Sequence, residues 1–168
     1  QKTTDYMSAG YGSIFIEKSL GDKFAIGIDY VPQSLETEST EVRRTHITTA
    51  YQEVQSSVEN KIQVDFKDLT TIYAVLNVNE NLYIKGGVAS VDVITNENLG
   101  TGGAYGNTNL DATMFGFGYN KSMDNGVFFR LEANYLDFDG TSLSSGDHTI
   151  ALTSLHGLNG KLSIGRSF

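Results

Sequence analysis

Apolar and polar side chains alternate along most of this chain, and no segment keeps a helical period for long. Between Leu158 and Phe168 the even positions carry Leu, Gly, Leu, Ile, Arg and Phe, whereas the odd positions carry Asn, Lys, Ser, Gly and Ser. Because successive side chains of a strand point to opposite faces, this pattern predicts strands with one apolar and one polar face. A tilted strand needs about 9–11 residues to cross a bilayer, and this segment is long enough.

Short polar turns alternate with longer polar segments between the predicted strands. The short turns lie at 19–22, 79–81 and 123–126. They contain Asn, Asp and Gly, which supply the positive φ angles that tight hairpins require. The longer segments lie at 35–60, 96–108 and 140–147. Outer-membrane barrels show this asymmetry, with short periplasmic turns and longer outer loops. We therefore expect one domain over 1–168, with 35–60 as a long, acidic outer loop.

The intervening segments predict seven strands, at 6–18, 23–33, 61–78, 82–95, 109–122, 127–143 and 148–168. Single-chain bacterial barrels have even numbers of strands. We therefore predict a small antiparallel up-and-down transmembrane β-barrel of eight strands. Residues 1–168 supply about seven of them, and a strand that precedes Gln1 supplies the eighth.

The hairpin registers test whether the apolar faces of neighbouring strands coincide. If paired residue numbers across the 123–126 turn sum to 248, Phe129 faces Tyr119 and Leu131 faces Phe117. If pairs across the 144–147 turn sum to 291, Phe129 also faces Leu162. Three successive strands then share one apolar face.

The hairpin around 79–81 fits in the same way. With pairs that sum to 160, Ile84 faces Leu76 and Val88 faces Ile72. We assign the shared apolar face to lipid. The predicted lipid-facing stripe consists of Phe115, Phe117, Tyr119, Phe129, Leu131, Leu158, Leu162 and Ile164.

The opposite face of the predicted strands is polar, and in a small barrel it points inward, where charges must pair. The predicted interior charge network consists of Asp29, Asp65, Lys67, Lys85, Arg130, Glu132 and Lys161. Glycines on the same face would leave room for these long side chains. An eight-stranded barrel has an interior that side chains can fill, so a filled core is favoured over a pore.

Composition excludes several classes of function. The chain contains no Cys, which rules out a disulfide framework and thiolate metal sites. Lys and Arg number 12 against 20 Asp and Glu, a formal net charge of −8 that disfavours nucleic-acid binding. No apolar run approaches the ~18 residues of a membrane helix.

The segment from Lys161 to Phe168 is an amphipathic strand that ends on an aromatic residue. Phe168, Ile164 and Leu162 occupy alternate positions, whereas Arg166 departs from the pattern. The segment resembles the C-terminal strand of small porin-like outer-membrane β-barrel proteins of Gram-negative bacteria. The resemblance implies a bacterial outer-membrane location, contact with outer-membrane lipid, and an assembly signal at Phe168 that the barrel-assembly machinery reads.

Two clusters suggest chemistry, and both are weak. Ser154 and His156 share a face, as a Ser and a His do in outer-membrane lipid A deacylases, but their order is reversed and Glu132 points inward. Asp137 and its neighbours around the 140–147 loop, Asp139 and Asp147, match no calcium loop. We therefore expect neither an enzyme nor a bound metal or cofactor.

The leading functional hypothesis is an integral outer-membrane barrel with a structural or surface-interaction role, whose extracellular partner would meet loop 35–60. Alternatives are a narrow channel or porin for small solutes, a soluble lipocalin-like barrel that binds an apolar ligand, and a lipid A-modifying enzyme. The soluble barrel would leave large aromatic side chains such as Phe115 and Phe117 as an exposed patch.

Overall fold

The structure is a computed structural model, and it describes residues 9–36, 40–46, 56–98, 106–145, 148–152 and 155–167. The regular elements in these ranges are all β-strands, so the predicted all-β class is confirmed. Within the same ranges, no helix is long and apolar enough to cross a membrane. Phe168, Ser154 and Asp147, about which the sequence makes predictions, lie outside the described residues.

The strands follow one another in antiparallel ladders. They are β1 (Ile14–Leu20), β2 (Phe24–Val31), β3 (Leu35–Glu36), β4 (Thr40–His46), β5 (Ser56–Asn77), β6 (Leu82–Asn98), β7 (Thr108–Ser122), β8 (Val127–Phe138), β9 (Thr141–Ser145), β10 (His148–Leu152) and β11 (Leu155–Arg166). The path of hydrogen-bonded neighbours is β1-β2-β5-β6-β7-β8-β11, with β3 and β4 beside β5 and a separate β9–β10 hairpin. This is the antiparallel up-and-down order that the alternation predicts.

The sheet is open between its first and last strands. Among the described residues, no ladder joins β11 to β1. The sheet nevertheless curls strongly, which brings Glu17 of β1 within hydrogen-bond distance of Arg130 of β8. One face is therefore enclosed and the other is exposed. Closure of the barrel, like its eighth strand, stays a prediction.

Tight turns join β1 to β2, β5 to β6 and β7 to β8 at one end of the sheet, which we call the turn end; the opposite end is the loop end. Gly21 and Gly126 adopt left-handed φ angles of 80° and 82° in two of these turns. In the third, the Asn79 side-chain oxygen accepts hydrogen bonds from the backbone N–H groups of Asn81 and Leu82, at 2.9 and 2.8 Å. The predicted positive φ angles are therefore confirmed at glycine in two of the turns, whereas no Asn or Asp of the three turns has one. The 79–81 turn is held by side-chain hydrogen bonds instead.

Paired strands extend into the segments that the sequence predicts to be loops. The β4–β5 ladder reaches the pair His46–Ser56, well inside 35–60. The β9–β10 ladder pairs Thr141–Ser145, inside 140–147, with His148–Leu152. These residues pair through backbone groups, which polar side chains do not prevent, and hydrophobic alternation does not report such pairing.

The β5–β6 register near the turn end is the predicted one. Ile72 pairs with Val88, and Leu76 pairs with Ile84. The sum of 160 is therefore confirmed for this part of the hairpin.

The other two tested registers differ from prediction by two residues. Across the 123–126 turn, Leu131 pairs with Tyr119 and not with Phe117. Across the next connection, Leu162 pairs with Leu131 and not with Phe129. The backbone bonding across 123–126 causes the first shift, because it centres the turn one residue later than assumed. A shift of two keeps each side chain on its face, since the side-chain period is two. The apolar face is therefore preserved although its individual pairs change.

A β-bulge interrupts β5 after Lys67, and Asp68 within it has a left-handed φ of 54°. The extra residue reverses the facing of every residue on its loop-end side. Phe66 consequently packs into the enclosed core, and Lys67 is exposed. The prediction that Asp65 and Lys67 join the interior charge network is therefore wrong. Asp65 is buried, but its carboxylate accepts a hydrogen bond from Asn96 at 2.6 Å, outside that network.

Candidate functional site: an enclosed ion-pair cluster and an exposed apolar belt

Among the described residues, three ion pairs cross the enclosed side of the sheet, and we call them the ion-pair cluster. They are Lys85–Glu132, Arg130–Glu17 and Lys161–Asp29. The Lys85 Nζ lies 3.2 Å from Glu132 Oε1, and these side chains are only 5% and 3% exposed. Arg130 holds Glu17 through two bonds of 2.7 Å, one to each carboxylate oxygen. The cluster thus links β1, β2, β6, β8 and β11 with three cations and three anions.

Aromatic rings surround the cations near the turn end. The Arg130 Cζ lies 4.8 Å from the ring centroid of Phe128 and 5.3 Å from that of Tyr83. The Lys85 Nζ lies 3.7 Å from the centroid of Tyr73. These distances fall within the ~6 Å range of cation–π attraction. The rings therefore replace part of the water that the charges lose on burial.

Glycines make the space for these rings. A Cβ atom at Gly118 would overlap the ring of Tyr83, and one at Gly165 would overlap the ring of Phe128. The expectation that interior glycines leave room for large inward side chains is confirmed at both positions.

A chain of amides continues the polar interior toward the loop end. Asn134 donates to the side-chain oxygen of Asn159 at 3.0 Å, and Asn159 donates to the Tyr11 hydroxyl at 2.8 Å. A cavity of ≈ 30 Å³ lies beside these amides, bordered also by Lys85 and Asp29. That volume suits about two water molecules. Pockets for drug-sized ligands are about ten times larger, so this cavity has no room for one.

The enclosed side becomes apolar at the loop end. Val91, Val93 and Leu110 are almost fully buried there. Phe66 and Phe138 pack against them. The sequence analysis assigned polar residues and glycines to the inward face, so this apolar part was missed.

The outer face carries an exposed apolar belt. All eight residues predicted for the lipid-facing stripe lie on it, with exposed fractions of 45–83%. On β2, β5 and β6 the belt is continued by Phe24, Ile26, Ile28, Tyr30, Ile72, Leu82, Ile84 and Val88, just after β5 by Val78, and on β1 by Ile14, Ile16 and Leu20. Monomeric soluble proteins rarely expose contiguous apolar patches larger than a few hundred Å².

Polar side chains border this belt at both ends. Toward the loop end the outward positions carry Asp92, Asp111 and Asp137, and toward the turn end they carry Lys121 and Arg166; all five are exposed. Inside the belt the described exception is the outward Lys18 on β1, whose long stem can carry its charge to the border. The belt is thus a band between two polar rims.

His156 lies at the loop-end rim, on the outer face. Its Nδ1 is 2.8 Å from Asp137 Oδ1 and 3.0 Å from the Tyr135 hydroxyl. The acid beside it is therefore Asp137, whereas Glu132 is buried in the ion-pair cluster. Within the described residues, no group of three or more His, Asp and Glu side chains is arranged to hold a metal ion.

The structure brings together five of the seven charged residues predicted for the interior. These are Asp29, Lys85, Arg130, Glu132 and Lys161. Glu17 was missed, although it is out of phase with the outward Ile14 and Ile16 and its inward direction was readable from that alternation.

Comparisons of the chain with protein-family models, with curated proteins and with solved structures found no match.

Proposed function

We propose that this chain is an integral β-barrel of a bacterial outer membrane with a structural or surface-interaction role. The observation that carries the proposal is the reversed polarity of the sheet. Its outer face exposes Phe117, Leu131 and Leu162, whereas its enclosed face buries Lys85 and Glu132. Lipid-facing strands of outer-membrane barrels alternate in this sense, apolar outward and polar inward.

The two polar rims support the proposal that the belt contacts a bilayer and not a second protein. A bilayer covers every strand to the same depth, and the belt is continuous over the path from β1 to β11. The rim charges would then lie at the two membrane–water interfaces, where charged substitutions cost little.

The filled interior favours a barrier over a conduit. Ion pairs, aromatic rings and the apolar loop end occupy the enclosed side, and the cavity beside the amides measures only ≈ 30 Å³. The same volume argues against a lipocalin-like ligand site. In this proposal the barrel anchors its loop-end hairpins, β4–β5 and β9–β10, which would present the surface for an extracellular partner.

Single-cysteine labelling tests the membrane proposal directly, because the chain has no native Cys. A fluorophore on F117C, in the belt, should be quenched by lipid-attached quenchers in vesicles. The same fluorophore on D124C, in the exposed β7–β8 turn, is the matched control and should not be quenched. Equal quenching at both positions, or a protein that stays monomeric in buffer without detergent, would contradict the proposal.

Labelling of intact cells tests the orientation. A membrane-impermeant maleimide should react with S142C, which is exposed on β9 at the loop end, and not with D124C at the turn end. After lysis both should react. The reverse pattern on intact cells would place the hairpins in the periplasm and remove the surface-interaction role.

A further inference from the structure

The two edges of the open sheet run in the same direction. The path from β1 to β11 contains seven strands that alternate in direction, so its first and last strands both run toward the turn end. If β11 paired with β1 directly, the junction would be parallel, whereas every ladder in the sheet is antiparallel. One more strand, running toward the loop end, would be antiparallel to both edges.

Side-chain exposure marks the same place. The largest exposed fractions in the belt are those of Leu158 and Leu162 on β11, both 83%, followed by Ile16 on β1 at 72%. Side chains on neighbouring strands shield one another in the rest of the belt. The excess at both edges therefore indicates that each has an open flank.

Inner side chains hold the two edges near each other. Phe15 of β1 lies 6.1 Å from Phe128 of β8, and the Lys161 Nζ of β11 lies 5.4 Å from the Phe15 ring. Phe128 pairs with Gly165 of β11, so Phe15 lies level with the last residues of β11. The gap between the edges is thus narrow and bridged from inside.

We propose that one strand of the same polypeptide, upstream of Ala9, occupies the slot between β1 and β11. The chain enters β1 from the loop end, where the Gly12 N–H donates to the Gln33 side chain at 2.8 Å and Tyr11 accepts from Asn159. An upstream strand that runs toward the loop end would reach this entry through a short connection. The inference rests on strand direction and does not depend on the membrane proposal.

The slot defines the chemistry of its strand. Outward positions would lie between Ile16 and Ile164 and complete the apolar belt. Inward positions would be small or polar, because Phe15, Phe128 and Lys161 already fill the enclosed side at that level. The strand would also pair with the N–H and C=O groups that an open sheet edge presents.

Disulfide trapping measures the width of the gap. Adjacent strands lie ~4.8 Å apart and strands separated by one neighbour ~9.6 Å apart, and a disulfide requires Cα atoms within about 7 Å. The control pair I16C/I28C, directly opposed across β1–β2, should cross-link on oxidation. The pair I16C/I164C should not cross-link within the monomer. An efficient intramolecular bond at 16–164 would show direct parallel closure and overturn the proposal.

Hydrogen exchange then shows whether the slot is filled. The molecular mass of the particle in solution shows whether the strand comes from the same chain or from a second copy. In the full polypeptide, the amides of β1 and β11 that point away from β2 and β8 should exchange roughly 100-fold or more slowly than free peptide. Deletion of the residues before Ala9 should remove that protection and leave β6 and β7 protected, which shows that the shortened chain still folds. Fast exchange at both edges of the full polypeptide, protection unchanged by the deletion, or protection only in a dimer would each overturn the proposal.

Discussion

The enclosed side of the sheet has two halves with opposite chemistry. In the half near the turn end, Lys85, Glu132, Arg130 and Glu17 are paired and packed among aromatic rings. In the half near the loop end, the buried side chains are aliphatic and aromatic, centred on Val93. The same strands contribute to both halves, so position along the strand, and not strand identity, sets the polarity.

The difference shows two ways to fill one interior. Aliphatic side chains gain free energy from burial without needing particular partners. Buried charges lose hydration, and mutual attraction roughly offsets that loss only when the geometry is good. The apolar half should therefore contribute more to net stability. The charged half should make the fold sensitive to the loss of any single partner.

Breaking one buried ion pair should have the largest effect. Glu132→Leu leaves Lys85 buried without its partner, and we expect the free energy of unfolding to fall by about 4 kcal/mol. The double variant Lys85→Met/Glu132→Leu removes both charges and should recover most of that loss. Urea unfolding in phospholipid vesicles measures both variants. If the double variant is less stable than the single one, the charges contribute net stability and the contrast between the halves is wrong.

Truncation in the apolar half should come next. Leu110 is 2% exposed, and Leu110→Ala should lower the free energy of unfolding by about 3 kcal/mol through lost burial and a cavity. Leu131→Ala is the matched control, since Leu131 is 57% exposed on the outer face of the next strand. The same unfolding measurement should give it a smaller loss, because Leu131→Ala removes contact with lipid but leaves no internal cavity. Equal losses would mean that Leu110 does not lie in a packed core.

Much of this contrast was readable from the sequence, and the reasons for the failures are specific. Alternation placed Phe117 and Leu131 on the outer face and Arg130 and Glu132 on the inner one, because the side-chain period survives register errors of two residues. The exact pairs were wrong, because the turn at 123–126 is centred by backbone hydrogen bonds that residue types do not specify.

The apolar interior of the loop-end half was not predicted from the sequence. A single extra residue at the bulge of Asp68 reverses the facing of β5, and Asp68 is an unremarkable polar residue in the sequence. The polar strand β4 pairs through its backbone and shows no apolar alternation. Val91 and Val93 were assigned to no face, although they lie in phase with the inward Lys85. Extending that phase along β6 would have predicted the apolar half.

A charge in the outer belt should have a smaller effect than either interior change, and only in lipid. Leu131→Lys should lower the free energy of unfolding in vesicles by about 2 kcal/mol, because the lysine would face hydrocarbon. Thr113→Lys, on the outer face toward the loop-end rim, is the control and should cost less than about 1 kcal/mol. If both variants unfold like the parent chain in vesicles, the belt does not face lipid.

Removing Lys67 should have the smallest effect. Simple alternation along β5 places this lysine in the interior with Lys85, but the bulge turns it to the exposed face. Lys67→Ala should therefore change the free energy of unfolding by no more than about 0.5 kcal/mol, the range of ordinary surface substitutions. Lys85→Ala, which leaves Glu132 buried and unpaired, should cost several times more. Equal costs at the two lysines would mean that β5 keeps its phase through Asp68, and the loop-end interior would then be charged as well.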